Sequence, residues 1–254
     1  MKTAVLKTKY AFHLLLAFFK PDVVLDVGSM DGADSRRFRK LVPQASIVAF
    51  EANPYNFQSM REDEELVEAS IRLENRIVSE TPGETRFFVQ VPAANEEAFN
   101  RGRSSMLERS LEGAQTEEVT LAAVRLDHYL RDEFPEAASA AAWVDVEGNT
   151  HSVMQSMTAC ANRIKLLHVE VETQPIWPGQ KLEPEVLSLA EKLGFLVIAR
   201  GKDGVQRDLI LLNRECYAAN RTSVDRLLRL ARVAGPTASR LAETRVWQSL
   251  FVPA

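Results

Sequence analysis

Val23-Val24-Leu25-Asp26-Val27-Gly28-Ser29-Met30-Asp31-Gly32 and, further on, Ile47-Val48-Ala49-Phe50-Glu51 decide how this chain folds. Each apolar run suits a strand buried on both faces. The first ends in Asp-x-Gly-x-x-x-Gly and is followed by a helix-like segment. The second ends in a lone acid, 19 residues after Gly32. Strand, glycine turn, helix, strand and acid, in that order, make a nucleoside-binding half-site. The glycines permit close backbone approach to a ligand, and Glu51 can accept hydrogen bonds from two ribose hydroxyls.

The glycine pattern narrows the ligand. A dinucleotide site uses G-x-G-x-x-G to set a pyrophosphate on a helix N-terminus. Here Gly28 and Gly32 stand between Asp26 and Asp31. Two carboxylates repel a pyrophosphate and suit a phosphate-free ligand with a cationic amino group, a description that S-adenosylmethionine meets.

Composition fits one large α/β domain: 254 residues, 46% hydrophobic, net charge -4. The mild acidity gives the whole molecule no bias toward nucleic acid. Cys160 and Cys216 form no C-x-x-C pair, so structural zinc and a disulfide framework are not expected, and a reducing cytoplasm is the simplest setting. Tyr10 to Phe19 is apolar behind Lys2, Lys7 and Lys9. It imitates a signal peptide but is too short to span a bilayer, and it reads as a helix on the sheet edge. No other run reaches spanning length.

Strands and helices alternate along the rest. Ile71–Val78, Thr85–Val91, Val119–Leu126, Ala141–Val146, Ile164–Val171, Phe195–Ala199 and Leu209–Leu212 read as strands. Helices are expected at Asn53–Glu68, Thr150–Asn162, Glu185–Leu193 and from about Thr222, with a break at Gly235-Pro236. Pro92–Glu118 is a polar insertion and Gln174–Pro184 a stiff Pro-rich connection, the two places expected to set acceptor specificity. The expected division is an N-terminal helix over 1–20, a catalytic domain over 21–215, and a helical extension over 216–254 packed on it. Alternation implies a mainly parallel sheet, with ligands beyond the strand carboxyl ends.

Two further places carry ionisable groups at such ends. Asp145 and Glu147 share parity in Asp145-Val146-Glu147-Gly148, and His151 follows Glu147 by four residues. They could orient a hydroxyl, act as a base or cap a helix. In Leu167-His168-Val169-Glu170-Val171-Glu172, His168, Glu170 and Glu172 point to one side. Burying three such groups unpaired is costly, so this strand end is expected to open into a site with Asp145 and Glu147. Oxygen-rich pockets suit hard cations such as Mg²⁺; the spacings match no dedicated metal motif, so a metal-free site is preferred to one with a divalent metal. Trp177 could be a lid or an ordinary packed aromatic. Arg226, Arg229 and Arg232 fall on one helical face. A solvated face explains them, as would an acidic partner, a membrane surface or a second copy of the chain.

With these segments placed, the chain resembles the FkbM-type S-adenosylmethionine-dependent methyltransferases from about Val23 to Leu212. The resemblance rests on Asp26–Gly32, Phe50-Glu51-Ala52-Asn53-Pro54, Val78-Ser79, Ser104-Ser105-Met106, Val124-Arg125-Leu126-Asp127, Val144–Gly148, Val169–Glu172 and Leu193-Gly194-Phe195. Ser29 and Met30 stand where the family more often has Ala and Asn, Ala52 where it has Pro, and Thr150 where an acid is frequent. The resemblance implies a class I methyltransferase fold: a Rossmann-like, mainly parallel seven-stranded sheet with helices on both faces. It implies transfer of a methyl group to oxygen, often a hydroxyl on a sugar or natural product. By position, Asp26, Gly28 and Gly32, with Ser29 and Asp31 in the same turn, would line the methionine end of the cofactor. Glu51 would hold the ribose, flanked by Ala52 and Asn53. Val78 and Ser79 would border the adenine. Asp145 and Glu147 would sit beside the transferring methyl, with His151 a third candidate base and His168 and Glu170 the second choice.

Two rival readings are a methyltransferase-like domain that only binds, since fold alone does not guarantee activity, and a nicotinamide oxidoreductase. The second would need G-x-G-x-x-G and, in its short-chain form, Tyr-x-x-x-Lys; no tyrosine at 10, 55, 129 or 217 has Lys four residues on.

Overall fold

The computed structural model describes residues 3–91, 101–108, 115–244 and 247. Its centre is the predicted half-site. β2 (Val23–Val27) leads through the glycine turn to α2 (Ala33–Leu41) and then to β3 (Ser46–Phe50), which lies parallel to β2 with Val27 opposite Phe50. β4 (Arg72–Glu74) extends the sheet beyond β3, and β8 (Ala140–Val144) and β9 (Ile164–Glu172) extend it beyond β2. β10 (Phe195–Arg200) and β11 (Gln206–Asn213) form a hairpin, and β11 runs antiparallel to both neighbours. A two-residue β1 (Ala4–Val5) pairs with the far edge of β10. The sheet order is thus β1-β10-β11-β9-β8-β2-β3-β4. Without β1 this is the seven-stranded class I methyltransferase sheet with its one reversed strand; the edge strand makes it eight.

Side-chain alternation sorts the core into two layers. Val24, Ile47, Ala141, Trp143, Leu166 and Ile210 pack against α1 (Thr8–Phe19), α2 and α8 (Arg214–Ala242). Val23, Leu25, Val48, Ala142, Leu167 and Val169 pack on the opposite face against α5 (Leu126–Glu133), α6 (Thr150–Gln155) and α7 (Glu183–Lys192). The N-terminal apolar run is therefore not an edge helix. Leu14, Leu15 and Leu16 are all fully buried, because α1 is covered on one side by the sheet and on the other by α8. No helix among the described residues is long and apolar enough to cross a membrane.

The predicted strand over Ile71–Val78 is two strands. The amide of Asn75 donates to the carbonyls of Glu51 and Ala52 at 2.7 and 3.2 Å, turning the chain out of the main sheet after β4. β5 (Ile77–Val78) joins β6 (Gly83–Val91) and β7 (Gln115–Val124) in a separate three-stranded sheet. Parts of the Pro92–Glu118 insertion, 92–100 and 109–114, lie outside the described residues. α3 (Pro54–Arg61) and α4 (Glu64–Glu68) replace the single helix expected there, each with its own cap: Asn53 accepts from the amides of Tyr55 and Asn56, Asp63 from those of Glu65 and Leu66. The last helix begins at Arg214, earlier than expected, and leaves helical geometry at Asn220 and Ala234, the second kink lying just before Pro236.

Candidate active site

The carboxyl ends of β2, β3 and β8 meet at Gly28. A Cβ there would lie 1.8 Å from the carbonyl oxygen of Asp145, and φ is +87°. The close approach at this glycine is thus also to the neighbouring strand, while Gly28 itself lines the cleft. Its amide and that of Ser29 donate to the carbonyl of Phe50 at 2.9 and 3.1 Å, and the Asp145 amide donates to Val27 at 2.9 Å. Gly32 precedes α2 with φ +70°, and a Cβ there would press on Leu66 at 2.8 Å. Gly28 lets two strands meet and Gly32 admits the Leu66 side chain against the turn, and a cleft opens above Gly28.

That cleft, about 260 Å³, runs from Gly28 and Asp145 past Glu51 and Ala52 to Ile77, Val78 and Phe87. Glu51 is fixed by two backbone donors, Met30 to Oε2 at 2.6 Å and Asn53 to Oε1 at 2.8 Å. The Asn56 side-chain amide donates to the same carboxyl, which leaves one of its four acceptor positions for a ligand. Burial outweighs these bonds and pushes the Glu51 carboxyl up to about 7. The predicted residues Gly28, Glu51, Ala52, Val78 and Asp145 line this cleft.

The others predicted for the cofactor stand behind its wall. Asp26 is buried, receives the Ser35 hydroxyl at 2.6 Å and is pushed up to about 8, chiefly by that burial. The Ser29 hydroxyl donates to the Phe50 carbonyl at 3.3 Å. Asp31 accepts from the Ala33 amide at 2.9 Å, in a dimple on the far side of Met30. Asn53 caps α3, and its amide donates to the Ser104 hydroxyl at 3.2 Å. Ser79 pairs with Ser152 and faces a second cleft. Asp26, Ser29, Asp31, Gly32, Asn53 and Ser79 do not line this cleft; they shape the turn and the walls around it.

At the other end, carboxylate oxygens of Asp145, Glu147 and Glu170 lie within 4.8 Å of one another. The Gln206 amide bridges them, to Glu170 at 2.8 Å and Glu147 at 3.4 Å. Burial first, and the neighbouring negative charges second, hold Asp145 and Glu170 well above the ordinary carboxylate range. The same two causes push Glu172 up to about 7. Asp145 keeps an exposed face toward the cleft although carboxylates crowd it from behind. Glu147 has a left-handed backbone, φ +49°, which turns the chain from β8 into α6.

Two candidates do not belong to this group. His168 does not open into the site: it is 2% exposed and stacked on Trp143 at 3.5 Å, with Nε2 3.3 Å from the Thr8 hydroxyl on α1. Its parity matches Glu170, but it sits two residues deeper, under α1, and burial holds its pKa well below the ordinary value. His151 lines the second cleft, about 470 Å³, with Glu80, Gln155 and Lys181, because the turn at Gly148 separates it from Glu147. Trp177 is no lid; it is 1% exposed and packs where a Cβ on Gly148 would stand.

The sequence reading missed Asn56, Arg76, Phe87 and Asn149, all on the cleft wall. Met106 also lines it, and it belongs to the Ser104-Ser105-Met106 stretch that carried the resemblance without being given a role. Ser104 and Ser105 tie the small sheet to both sides of the cleft. Ser105 Oγ donates to the Glu147 carbonyl at 2.7 Å, and Ser104 receives the Asn53 amide.

The donor set fits an adenosyl sulfonium. One end is apolar with a fixed carboxylate for a diol; the other is a cluster of carboxylates of which Asp145 and Glu170 have no Lys or Arg partner among the described residues. Gly28, Glu51, Ala52 and Val78 would hold the adenosine, and Asp145 the cationic end.

Sequence comparison agrees. The family described as "Methyltransferase FkbM domain" matches residues 26–197. The 2-O-methyltransferase NoeI of Sinorhizobium fredii is 26% identical over 200 residues, 76% of this chain and 81% of that protein. Among solved structures, the precorrin-6y C5,15-methyltransferase of Geobacter metallireducens aligns with TM-score 0.42 and 12% identity over 81% of this chain and 85% of its own. The N-terminal domain of EvdMO1 with SAH bound aligns with TM-score 0.43 and 12% identity over 82% of each. On the span of the family match, the chain belongs to the FkbM methyltransferases, and S-adenosylmethionine is its methyl donor.

Proposed function

We propose that the protein methylates oxygen, on a hydroxyl of a sugar or natural-product acceptor, in a reducing cytoplasm where Cys160 and Cys216 stay free. The observation that carries this is the carboxylate group Asp145, Glu147 and Glu170 at the end of the cleft. A hydroxyl must lose its proton as it attacks, and the best base has a proton affinity near the working pH. Burial and mutual repulsion raise Asp145 and Glu170 toward that range. The name of the Sinorhizobium relative, a 2-O-methyltransferase, supports oxygen as the acceptor atom.

The bound donor supplies an electrophilic methyl group. The chain's own task is to fix Glu51 and Gly28 at one end, aim the acceptor oxygen and take its proton at a carboxylate oxygen of Asp145, Glu147 or Glu170. Holding two reactants in line can supply about 7–11 kcal/mol of the barrier, and a base a further factor of about 10²–10⁴.

The test uses ¹³C-methyl donor with a hydroxyl-rich glycan and natural-product library, reading the labelled product by NMR. Label on oxygen supports the reading; label on nitrogen or carbon refutes it. Asp145→Asn, Glu147→Gln and Glu170→Gln should each lower turnover by more than they lower donor affinity. Unchanged turnover in all three removes the base from the mechanism.

A further inference from the structure

The strongest unexplained surface is the outer face of α8. From Arg226 to Ala242 the chain carries Arg226, Arg229, Arg232 and Arg240 and no acid, in a molecule of net charge -4. All four side chains are exposed, and none has an ion-pair partner among the described residues. Arg226, Arg229 and Arg232 sit three apart, so they span an arc of about 120° and rise only about 9 Å along the axis. The apolar side of the helix is already used: Leu227, Leu228, Ala231, Ala238 and Ala242 pack into the core with α1. Beside the arginines Val233 is 86% exposed, the most open large hydrophobic among the described residues.

We propose that this face docks on an anionic lipid surface. Unpaired guanidinium groups on one rigid face match a layer of phosphate and carboxylate headgroups by charge. Val233 gains from the acyl boundary and would gain nothing from a bare phosphate row. No aromatic residue stands between the arginines to stack a nucleic-acid base. Because the apolar stripe stays in the core, the contact is peripheral and reversible, unlike that of a helix that inserts its own apolar face. It is independent of which acceptor the cleft takes.

Full-length protein is sedimented with vesicles of phosphatidylcholine alone and with vesicles containing one-third phosphatidylserine, at low and high salt. The expected result is binding to the serine-containing vesicles only, lost at high salt. The triple substitution Arg226→Gln, Arg229→Gln and Arg232→Gln should weaken it on the order of 100-fold, at about one kcal/mol per charge, with melting temperature and donor affinity unchanged. Val233→Ser, which keeps all charges, should weaken it a few-fold. Equal binding to both vesicle types, equal binding by the triple variant, or tighter binding to duplex RNA than to the vesicles each overturns the proposal.

Discussion

Donor affinity should rise with pH across neutrality, and the carboxylates say by how much. Glu51 is held at about 7 by burial. In the proposed ribose contact it is the better acceptor when ionised, since a neutral carboxyl turns one oxygen into a donor, and the Asp145 end would attract a cation only when ionised too. A group with a free value near 7 that is fully ionised in the complex is about one-tenth available at pH 6 and about nine-tenths at pH 8, so each such group strengthens binding about tenfold over that interval. Glu51 alone therefore predicts one decade, and the Asp145–Glu170 group adds to it. The sign for stability is opposite. A carboxyl raised from 4.5 to about 7 contributes stability that is complete below its unfolded value and lost as pH rises through its folded one. For Glu51 that loss is about 3 kcal/mol. The free protein thus weakens toward pH 8 while the donor stabilises it more. Calorimetric titration at pH 6, 7 and 8, in buffers of different ionisation enthalpy, reads the affinity and the protons released. Glu51→Gln should remove about one decade of the pH dependence. S-Adenosylhomocysteine, which lacks the sulfonium charge, should show a smaller rise than the donor. An affinity flat or falling from pH 6 to 8 would refute the reasoning, as would release of no protons.

Other perturbations separate the fold from the site. His13 is lowered to about 3 by burial, with Lys9 and Arg37 adding to it. Its contribution is therefore present above its unfolded value near 6.5 and lost as pH falls from there, against the gain from the raised carboxyls, so His13→Leu should raise the melting temperature relative to the parent protein at pH 5 by more than at pH 8. Gly28→Ala must place a Cβ at 1.8 Å from the Asp145 carbonyl with φ +87°. It should cost about 3–5 kcal/mol by denaturant unfolding, whereas Gly83→Ala, with open space around its Cβ, should cost only about 1–2 kcal/mol. Ser105→Ala deletes the tie to the Glu147 carbonyl and should weaken donor binding by about 2- to 10-fold in calorimetry with little change in melting temperature.

The half-site was legible because its signals are local. Two apolar strands, a positive-φ turn and an acid at a strand end leave a trace within 30 residues, and Gly28 and Glu51 stand on the cleft where that trace puts them. What the turn glycines do was not legible, since the crowding at Gly28 comes from the carbonyl of Asp145, more than a hundred residues away. His168 misled for a related reason. Alternation fixes the face of a strand but not the depth at which a covering helix begins, and α1 covers His168 while leaving Glu170 open. Arg76 and Phe87 were missed because Asn75 bends the chain out of the main sheet, and a side chain that bonds two distant carbonyls looks from the sequence like any strand residue. His151 failed at a single turn: the left-handed backbone at Glu147 and Gly148 breaks the helical spacing that would have put Glu147 and His151 on one face.

The unbalanced carboxylates explain why this end of the sheet is a site and not merely a strand terminus. Burial first and neighbouring carboxylates second push Asp145, Glu170 and Glu172 toward protonation, burial alone does so for Asp208, and the side-chain donors to this group include the amide of Gln206 and the hydroxyl of Thr8. Arg207, between Gln206 and Asp208 on the same strand, is turned to the other face and pairs with Glu183 and Asp203. A fold under selection for stability alone would place a cation among these acids or replace them by apolar groups. Their arrangement makes sense beside a ligand that is itself positive. The carboxylates ionise when that charge is present. In the proposed transfer to oxygen they would recover their proton affinity once the donor's positive charge is gone. Under that proposal the acceptor's proton would be released as the Asp145–Glu170 group becomes basic enough to hold it. On this account the same repulsion that destabilises the free protein draws in the donor and then serves the base.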